Sequence, residues 1–397
     1  MESEHFTSLT PGLIIEILSR LPVKSLLQYR SVSKYWLDLI STPKFIKSHL
    51  NLSTSNKENT HHRLMMRLSM PLYNQCSFRS LLYDSVTETT DLNIPMIKNP
   101  YENFHILGSV NGLILGSVNR WYSFDGEQKD LFLWNPSIRK YRKLPSPSFE
   151  TRRSYASDYS YCFIYDEFHD DYKVVVILFD FKHVSSIRLE VKIYSLTSNS
   201  WRRVDNSCPP TGLYFNVSGK FVNGKLYWAT NPAGHEYKTM NDGWNIVSFD
   251  LADEKWGKAE KPTFEEGDID SRLEVLGSNL SVFCYNKRRY VSVWVMNEYG
   301  VKESWKKMFT INYFDKPYVH EQPYFMSNKG EVLVGFSRSF KIYNPKDNSF
   351  SPKIINYDRE AAEIYIESLV SPFPSEDQTS DATTKKSSDQ DNQVTNN

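Results

Sequence analysis

The chain has no cysteine pair of the kind that holds a metal. Its four cysteines, Cys76, Cys162, Cys208 and Cys284, lie far apart in 397 residues. None forms Cys-x-x-Cys, and no histidines stand at zinc-finger spacing from them. They read as reduced, mostly buried thiols of a reducing compartment. A charge excess is also missing, because 47 Lys and Arg balance 47 Asp and Glu. That neutrality argues against nucleic acid, whose phosphates demand a basic footprint. No apolar run reaches the length of a membrane span. Glu2 and Glu4, with no apolar h-region after them, predict no signal peptide. Cytoplasm or nucleus is the expected home. Gly-x-Ser-x-Gly, P-loop and His-Glu-x-x-His motifs are absent too. No cofactor, resident metal or catalytic residue is therefore expected.

Present instead is a dense apolar opening, "GLIIEILSRLPVKSLLQYRSVSKYWLDLI", from Gly12 to Ile40. Ile14, Ile17, Leu18 and Leu21 recur at one-face helical spacing, and Leu13 and Ile15 widen that face. Pro22 stops the helix. A second short helix offers Leu26 and Leu27. A third carries Val32, Tyr35, Trp36, Leu37, Leu39 and Ile40, with Pro43 as its stop. Three helices in so few residues cannot bury that much apolar surface among themselves. Either they pack on the rest of the chain, or they form half of an interface with another protein.

The stretch "SLTPGLIIEILSRLPVKSLLQYRSVSKYWLDLISTPKFIKSHL" resembles the F-box of plant proteins, in its "EILSRLPVKSLL" core, its "SVSKYW" segment and its ending. In that family the F-box docks on the Skp-type adaptor of a cullin–RING ubiquitin ligase. Carried over by position, the adaptor contacts would be Leu9, Leu13, Ile17, Leu18, Leu21, Pro22, Val23, Leu26, Leu27 and Trp36. One departure stands out. The family has Leu-Pro with an acidic residue two places on, whereas this chain reads Leu9-Thr10-Pro11-Gly12. The departure bears on adaptor affinity.

Residues 51–62, polar and turn-rich, read as a linker after an F-box spanning 1–50. Beyond them the period changes from helical to alternating. An apolar strand ends in an aromatic, a polar turn follows, and a second aromatic comes seven residues on. Trp134 and Tyr141, Tyr194 and Trp201, Phe249 and Trp256, and Tyr343 and Phe350 follow that rule. Trp294 and Trp305 follow it with a longer turn, and Tyr83 opens a degenerate copy. The starting aromatics are 45 to 60 residues apart, a period that predicts propeller blades. Asn111-Gly112 and Asn223-Gly224, between apolar runs, add a second hairpin to the repeat. The expected fold is a small all-α F-box followed by an all-β propeller of about six four-stranded blades. "EIYIESLV" near the C-terminus is expected to complete the first blade beside "HRLMMRL".

"VNGLI", "LWNPSIRKYRKLP", "YDEFHDDYKVV" and "YIESLVSP" resemble landmarks of the F-box-associated domain of plant F-box/kelch-type proteins. The domain is expected over 63–374, and the polar tail 375–397 is expected to be disordered.

In a four-stranded blade, first–second and third–fourth turns share one face of the ring. The remaining connections share the other, and here they include the long segments 118–130, 146–160, 181–188, 230–243 and 311–322. Long loops rich in Tyr, Arg, Trp and His suit a protein partner. Trp121, Tyr122, Arg152, Arg153, Tyr155, His235, Tyr237, Tyr313, Phe314 and Tyr318 are the expected substrate-binding residues. "YDEFHDDY", with Asp166, Glu167, His169, Asp170 and Asp171, has residue types suited to metal or acid–base work, but reads as a solvated turn. The two resemblances together imply a non-catalytic substrate receptor of an SCF-type ligase, with a partner-binding scaffold acting without ubiquitination as the alternative. Within the ligase reading, the resemblance spans pollen self-incompatibility receptors and immune or stress regulators.

Overall fold

Three of the four helix starts in the opening segment are written in their local sequence. Thr10, Ser33 and Thr42 are N-caps whose side chains accept the backbone N–H of Leu13, Trp36 and Phe45. They open α1 (Pro11–Ser19), α3 (Lys34–Ser41) and α4 (Pro43–Thr54), with α2 (Val23–Tyr29) between the first two. The periodicity predicts three helices and a stop at Pro43. That proline instead opens a fourth, because its missing N–H costs nothing in the first turn. The expected linker 51–62 is thus partly α4. The rest of it is a packed corner, with Asn59 and His61 buried.

The computed structural model describes residues 10–69, 72–84, 86–99, 102–120, 128–149, 157–180, 188–204, 213–215, 218–232, 244–263, 268–286, 290–312, 322–327, 329–336, 339–351, 355–356 and 362–374. Its strands form six antiparallel sheets. The first contains β1 (His62–Ser69), β2 (Leu72–Ser77) and β3 (Thr89–Leu92), with α5 (Phe78–Tyr83) between the last two. The second is β4 (Asn103–Val110), β5 (Leu113–Arg120), β6 (Gln128–Asn135) and β7 (Lys140–Lys143). The third is β8 (Ser157–Asp166), β9 (Asp171–Asp180), β10 (Arg188–Ser195) and β11 (Ser200–Arg203). The fourth holds β12 (Leu213–Phe215), β13 (Lys220–Val222), β14 (Lys225–Pro232), β15 (Asn245–Asp250) and β16 (Trp256–Ala259). The fifth is β17 (Asp268–Leu276), β18 (Asn279–Asn286), β19 (Tyr290–Met296) and β20 (Trp305–Asn312). The sixth holds β21 (Gln322–Met326), β22 (Val332–Phe336), β23 (Ser339–Asn344), β24 (Ser349–Phe350) and β25 (Ile355–Asn356).

The last strand, β26 (Ala362–Ile366), returns to the first sheet and pairs with β1, from His62 opposite Ile366 to Met66 opposite Ala362. The order β26-β1-β2-β3 makes the chain's final strand the innermost of its first blade. This is the closure expected of "EIYIESLV".

The packing explains why central strands such as "YKVVVIL" are apolar at almost every position. Val174 and Val176 enter the cluster between the second and third blades, while Val175 and Ile177 enter the one between the third and fourth. Both faces of the strand are covered. The other four junctions around the ring each have a cluster of the same kind. The apolar core is a set of wedges between blades.

The repeated aromatics face each other across the outer hairpins in four blades: Trp134 and Tyr141, Tyr194 and Trp201, Phe249 and Trp256, Tyr343 and Phe350. They also reach the preceding blade. Trp201 Nε1 donates to the Pro145 carbonyl at 2.7 Å, Trp305 Nε1 to Glu260 at 2.9 Å, and the Tyr343 hydroxyl to Thr310 at 2.7 Å. Two copies differ from expectation. In the fifth blade Met296, not Trp294, stands opposite Trp305, and Trp294 faces Lys307. Tyr83 ends helix α5 and opens no strand.

Asn111 and Gly112, with φ of 54° and 84°, turn β4 into β5 with both central residues left-handed. A Cβ on Gly112 would lie 2.3 Å from Ser368 Oγ and 2.5 Å from the Ile366 carbonyl oxygen, whereas one on Gly224 would meet nothing within 4 Å. Gly224→Ala should therefore cost about 1–2 kcal/mol, for backbone conformation alone. Gly112→Ala should cost clearly more, read as the shift in urea midpoint; equal losses would contradict the packing at Ser368.

Candidate functional site

The helical unit has an inward and an outward face. Leu18, Val23, Leu26, Ile40 and Phe45 are buried together, joined by Leu369 from near the C-terminus and flanked by Ile138 of the β6–β7 turn. Of the expected adaptor contacts, Leu18, Val23 and Leu26 thus lie inside the unit. Leu21, Leu27 and Trp36 are half-buried; Leu13, Ile17 and Pro22 are exposed. Leu9 lies outside the described residues. The outward face also presents side chains that did not figure among those contacts. Val32 is 63% exposed and Tyr35 51%, comparable with Ile17 at 49% and Leu13 at 48%. Helical phase was the signal that separates them, because Ile14, Leu18 and Leu21 follow the inward line while Leu13 and Ile17 follow the outward one.

The Thr10-Pro11-Gly12 departure builds a sound helix start. Thr10 caps α1, Pro11 sits in its first turn, and Gly12 has open space around its Cα. Gly12→Glu should raise stability by about 1 kcal/mol, from helix propensity and charge at a helix N-terminus. Thermal denaturation of the full chain checks this, and a drop in melting temperature would contradict it.

The inward side of the unit rests on the ring. Ile46 and Leu50 of α4 pack into the wedge between the second and third blades. Lys47 Nζ reaches Asp170 in the β8–β9 turn at 3.2 Å. The turns touched by the helices and the C-terminal segment, at Gly112, Ile138 and Asp170, are all first–second or third–fourth turns. The helices therefore sit on that face, and the β5–β6, β7–β8, β9–β10, β14–β15 and β20–β21 connections leave from the opposite one. Trp121, Tyr122, Arg152, Arg153, Tyr155, His235, Tyr237, Tyr313, Phe314 and Tyr318 lie outside the described residues, bracketed by those strand ends. Leu68 and Leu72, exposed where β1 meets β2, share that far face. They sit beside a connection too short to be noticed among long loops.

The acidic stretch is a turn, as its composition predicts. Residues 167–170 join β8 to β9. The Asp166 carboxylate accepts the N–H of Phe168 and His169, the His169 ring at 2.6 Å and Lys173 Nζ at 2.5 Å. Burial pulls its pKa upward, but these donors outweigh that and push it down to about 2. Asp170 accepts the Tyr165 hydroxyl, and Asp171 accepts the backbone and hydroxyl of Thr197. These carboxylates are spent on their own turn, on Thr197 of the β10–β11 turn and on Lys47 of α4. Among the described residues no three His, Cys, Asp or Glu side chains are grouped to hold a metal.

Titratable groups do meet at the ring axis, where four blades contribute. Lys220 of β13 pairs with Glu274 of β17 at 2.5 Å. Glu363 of β26 lies beside them and Ser109 of β4. Burial pushes the Glu363 carboxyl up to about 7, against the pull of the Ser109 hydroxyl and the Lys220 ammonium. Nearby Cys162 is pushed by burial up to about 12, so it is no thiolate nucleophile at neutral pH.

Three histidines lie buried where the helices meet the ring. His49 Nε2 is 2.9 Å from the Leu21 carbonyl, and its ring lies edge-on to His61 at 5.6 Å. Nδ1 of His49, His61 and His62 is buried with no partner among the described residues. Burial lowers all three pKa values, and that of His62 falls from 6.5 to about 4, with His61 adding to the shift. A depressed value means that the unfolded chain takes up the proton first as pH falls. Stability is full above 6.5 and lost as pH drops toward 4, by about 3 kcal/mol for His62. Urea midpoints between pH 7.5 and 4.5 should show the fall, and His62→Gln should flatten it.

The sequence matches known proteins over nearly its whole length. The F-box domain profile matches residues 6–48, and that of the F-box associated beta propeller domain matches 63–375. An F-box/kelch-repeat protein of Arabidopsis thaliana is 29% identical over 368 residues, covering 90% of this chain and 94% of that protein. F-box protein CPR1 of Arabidopsis thaliana is 32% identical over 321 residues, covering 75% and 72%. Among solved structures, that of YjhT aligns at 10% identity with a TM-score of 0.44, over 74% of this chain and 94% of that one.

Proposed function

This chain belongs to the family of F-box proteins with an F-box associated beta propeller, and from that premise we propose that it is the substrate-recognition subunit of an SCF-type ubiquitin ligase. The observation that carries this reading is the outward apolar face of a helical unit already anchored on its other side. Leu13, Ile17, Val32 and Tyr35 are exposed on helices whose inner face is filled. Such residues stay exposed in a folded chain when a partner covers them.

On this reading Leu13, Ile17 and Pro22 meet a Skp-type adaptor, with Leu21, Leu27 and Trp36 at the margin. Leu18, Val23 and Leu26 hold the face from beneath. The far face of the propeller takes the target protein through its loops, with Leu68 and Leu72 added to the ten loop residues named above. Ubiquitin transfer falls to other subunits. This chain works without catalysis of its own, by raising the target's local concentration at the ligase. No described helix is long and apolar enough to cross a membrane, which suits a ligase of cytoplasm or nucleus.

Co-purification of the full chain with a Skp-type adaptor tests the reading. Wild type should bind. Leu13→Asp with Ile17→Asp should weaken binding at least ~100-fold while leaving circular dichroism unchanged, because both residues are exposed. A wild-type chain that does not bind would leave a scaffold acting without ubiquitination.

A further inference from the structure

The helical unit is short of core. Its own fully buried apolar side chains among the described residues are Leu18, Val23, Leu26, Ile40 and Phe45, with Leu50 turned into the ring. A unit of that size is marginal by itself. The sixth member of its cluster is Leu369, which is 3% exposed and comes from the far end of the chain.

Leu369 does not reach the helices by its own affinity alone. The residues on either side of it are bound to the ring. The Glu367 N–H donates to the His61 carbonyl at 2.8 Å. Its carboxylate meets Arg63 at 3.0 Å across 304 residues of sequence. Asn135, fully buried, donates through its side-chain amide to the carbonyls of Ser368 at 3.0 Å and Val370 at 2.8 Å. Val370 itself enters the wedge between the second and third blades. The segment follows β26 without a break, and β26 is held in place by its pairing with β1.

We infer that ring closure completes the helical unit: Leu369 is a positioning residue for adaptor docking, and an unclosed propeller presents no ordered docking face. The consequence for docking rests on the ligase reading; the coupling between ring and helices does not. Chains with an unfinished substrate domain would thereby be kept out of the ligase.

The test is hydrogen exchange on the full chain with Leu369→Ala and Leu369→Met, alongside adaptor affinity. Leu369→Ala should speed exchange in α1–α3 at least ~10-fold and weaken adaptor binding to a similar degree, while β9 and β18 keep wild-type protection. Leu369→Met, which nearly conserves volume, should restore both. Wild-type exchange in α1–α3 of the alanine variant would overturn the inference. So would equal loss of protection in blades and helices, since Leu369 would then serve the ring as a whole. If wild type fails to bind adaptor while the alanine variant still loosens α1–α3, the ligase reading falls and the coupling stands.

Discussion

The pairing of β26 with β1 is the constraint on which the rest of the structure depends. It joins segments from opposite ends of the chain, and the entropic cost of so long a loop grows only slowly with its length. In return the first blade gains its inner strand, and the wedges on both sides of that blade are filled. Tyr365 of β26 is buried in the wedge with the second blade and donates to Gln75 at 2.5 Å. Ile364 packs on the opposite side, toward the sixth. A ring of wedges has no central mass to fall back on, so each junction matters to the closure of all.

The helices sit downstream of that closure in a physical sense. The sequence presents their excess apolar surface as a choice between core and interface, and the structure divides it by helical phase. One line of residues is covered by Leu369 and Ile138, and the other remains in solvent. A ring of blades closed on itself requires nothing from the helices by topology alone. Leu50 nevertheless fills part of one wedge, and Lys47 reaches Asp170.

What could be read from the sequence was whatever is encoded locally. The blade repeat, the Asn-Gly hairpins and the aromatic pairs follow from neighbours a few residues apart. The long spacing from Trp294 to Trp305 hid the register, since Trp294 faces Lys307 and the residue opposite Trp305 is Met296, with no aromatic to mark it. Pro43 was ambiguous because proline both ends and begins helices, and only the cap before it, Thr42, distinguishes the two. Leu369, the axial cluster of Lys220, Glu274 and Glu363, and the junction histidines were beyond reach. Their partners come from different blades or from opposite ends of the chain.

Each blade has an even number of main strands running back and forth, so its connections alternate between the two faces of the ring. The tight turns are locked by left-handed residues, and at Gly112 by the C-terminal segment pressed against it. The opposite connections carry no such lock at the strand ends that bound them. Insertions and deletions can therefore accumulate on one face without moving the helices on the other. On the ligase reading proposed above, a lineage of such proteins can diversify what it captures while inheriting the same plug.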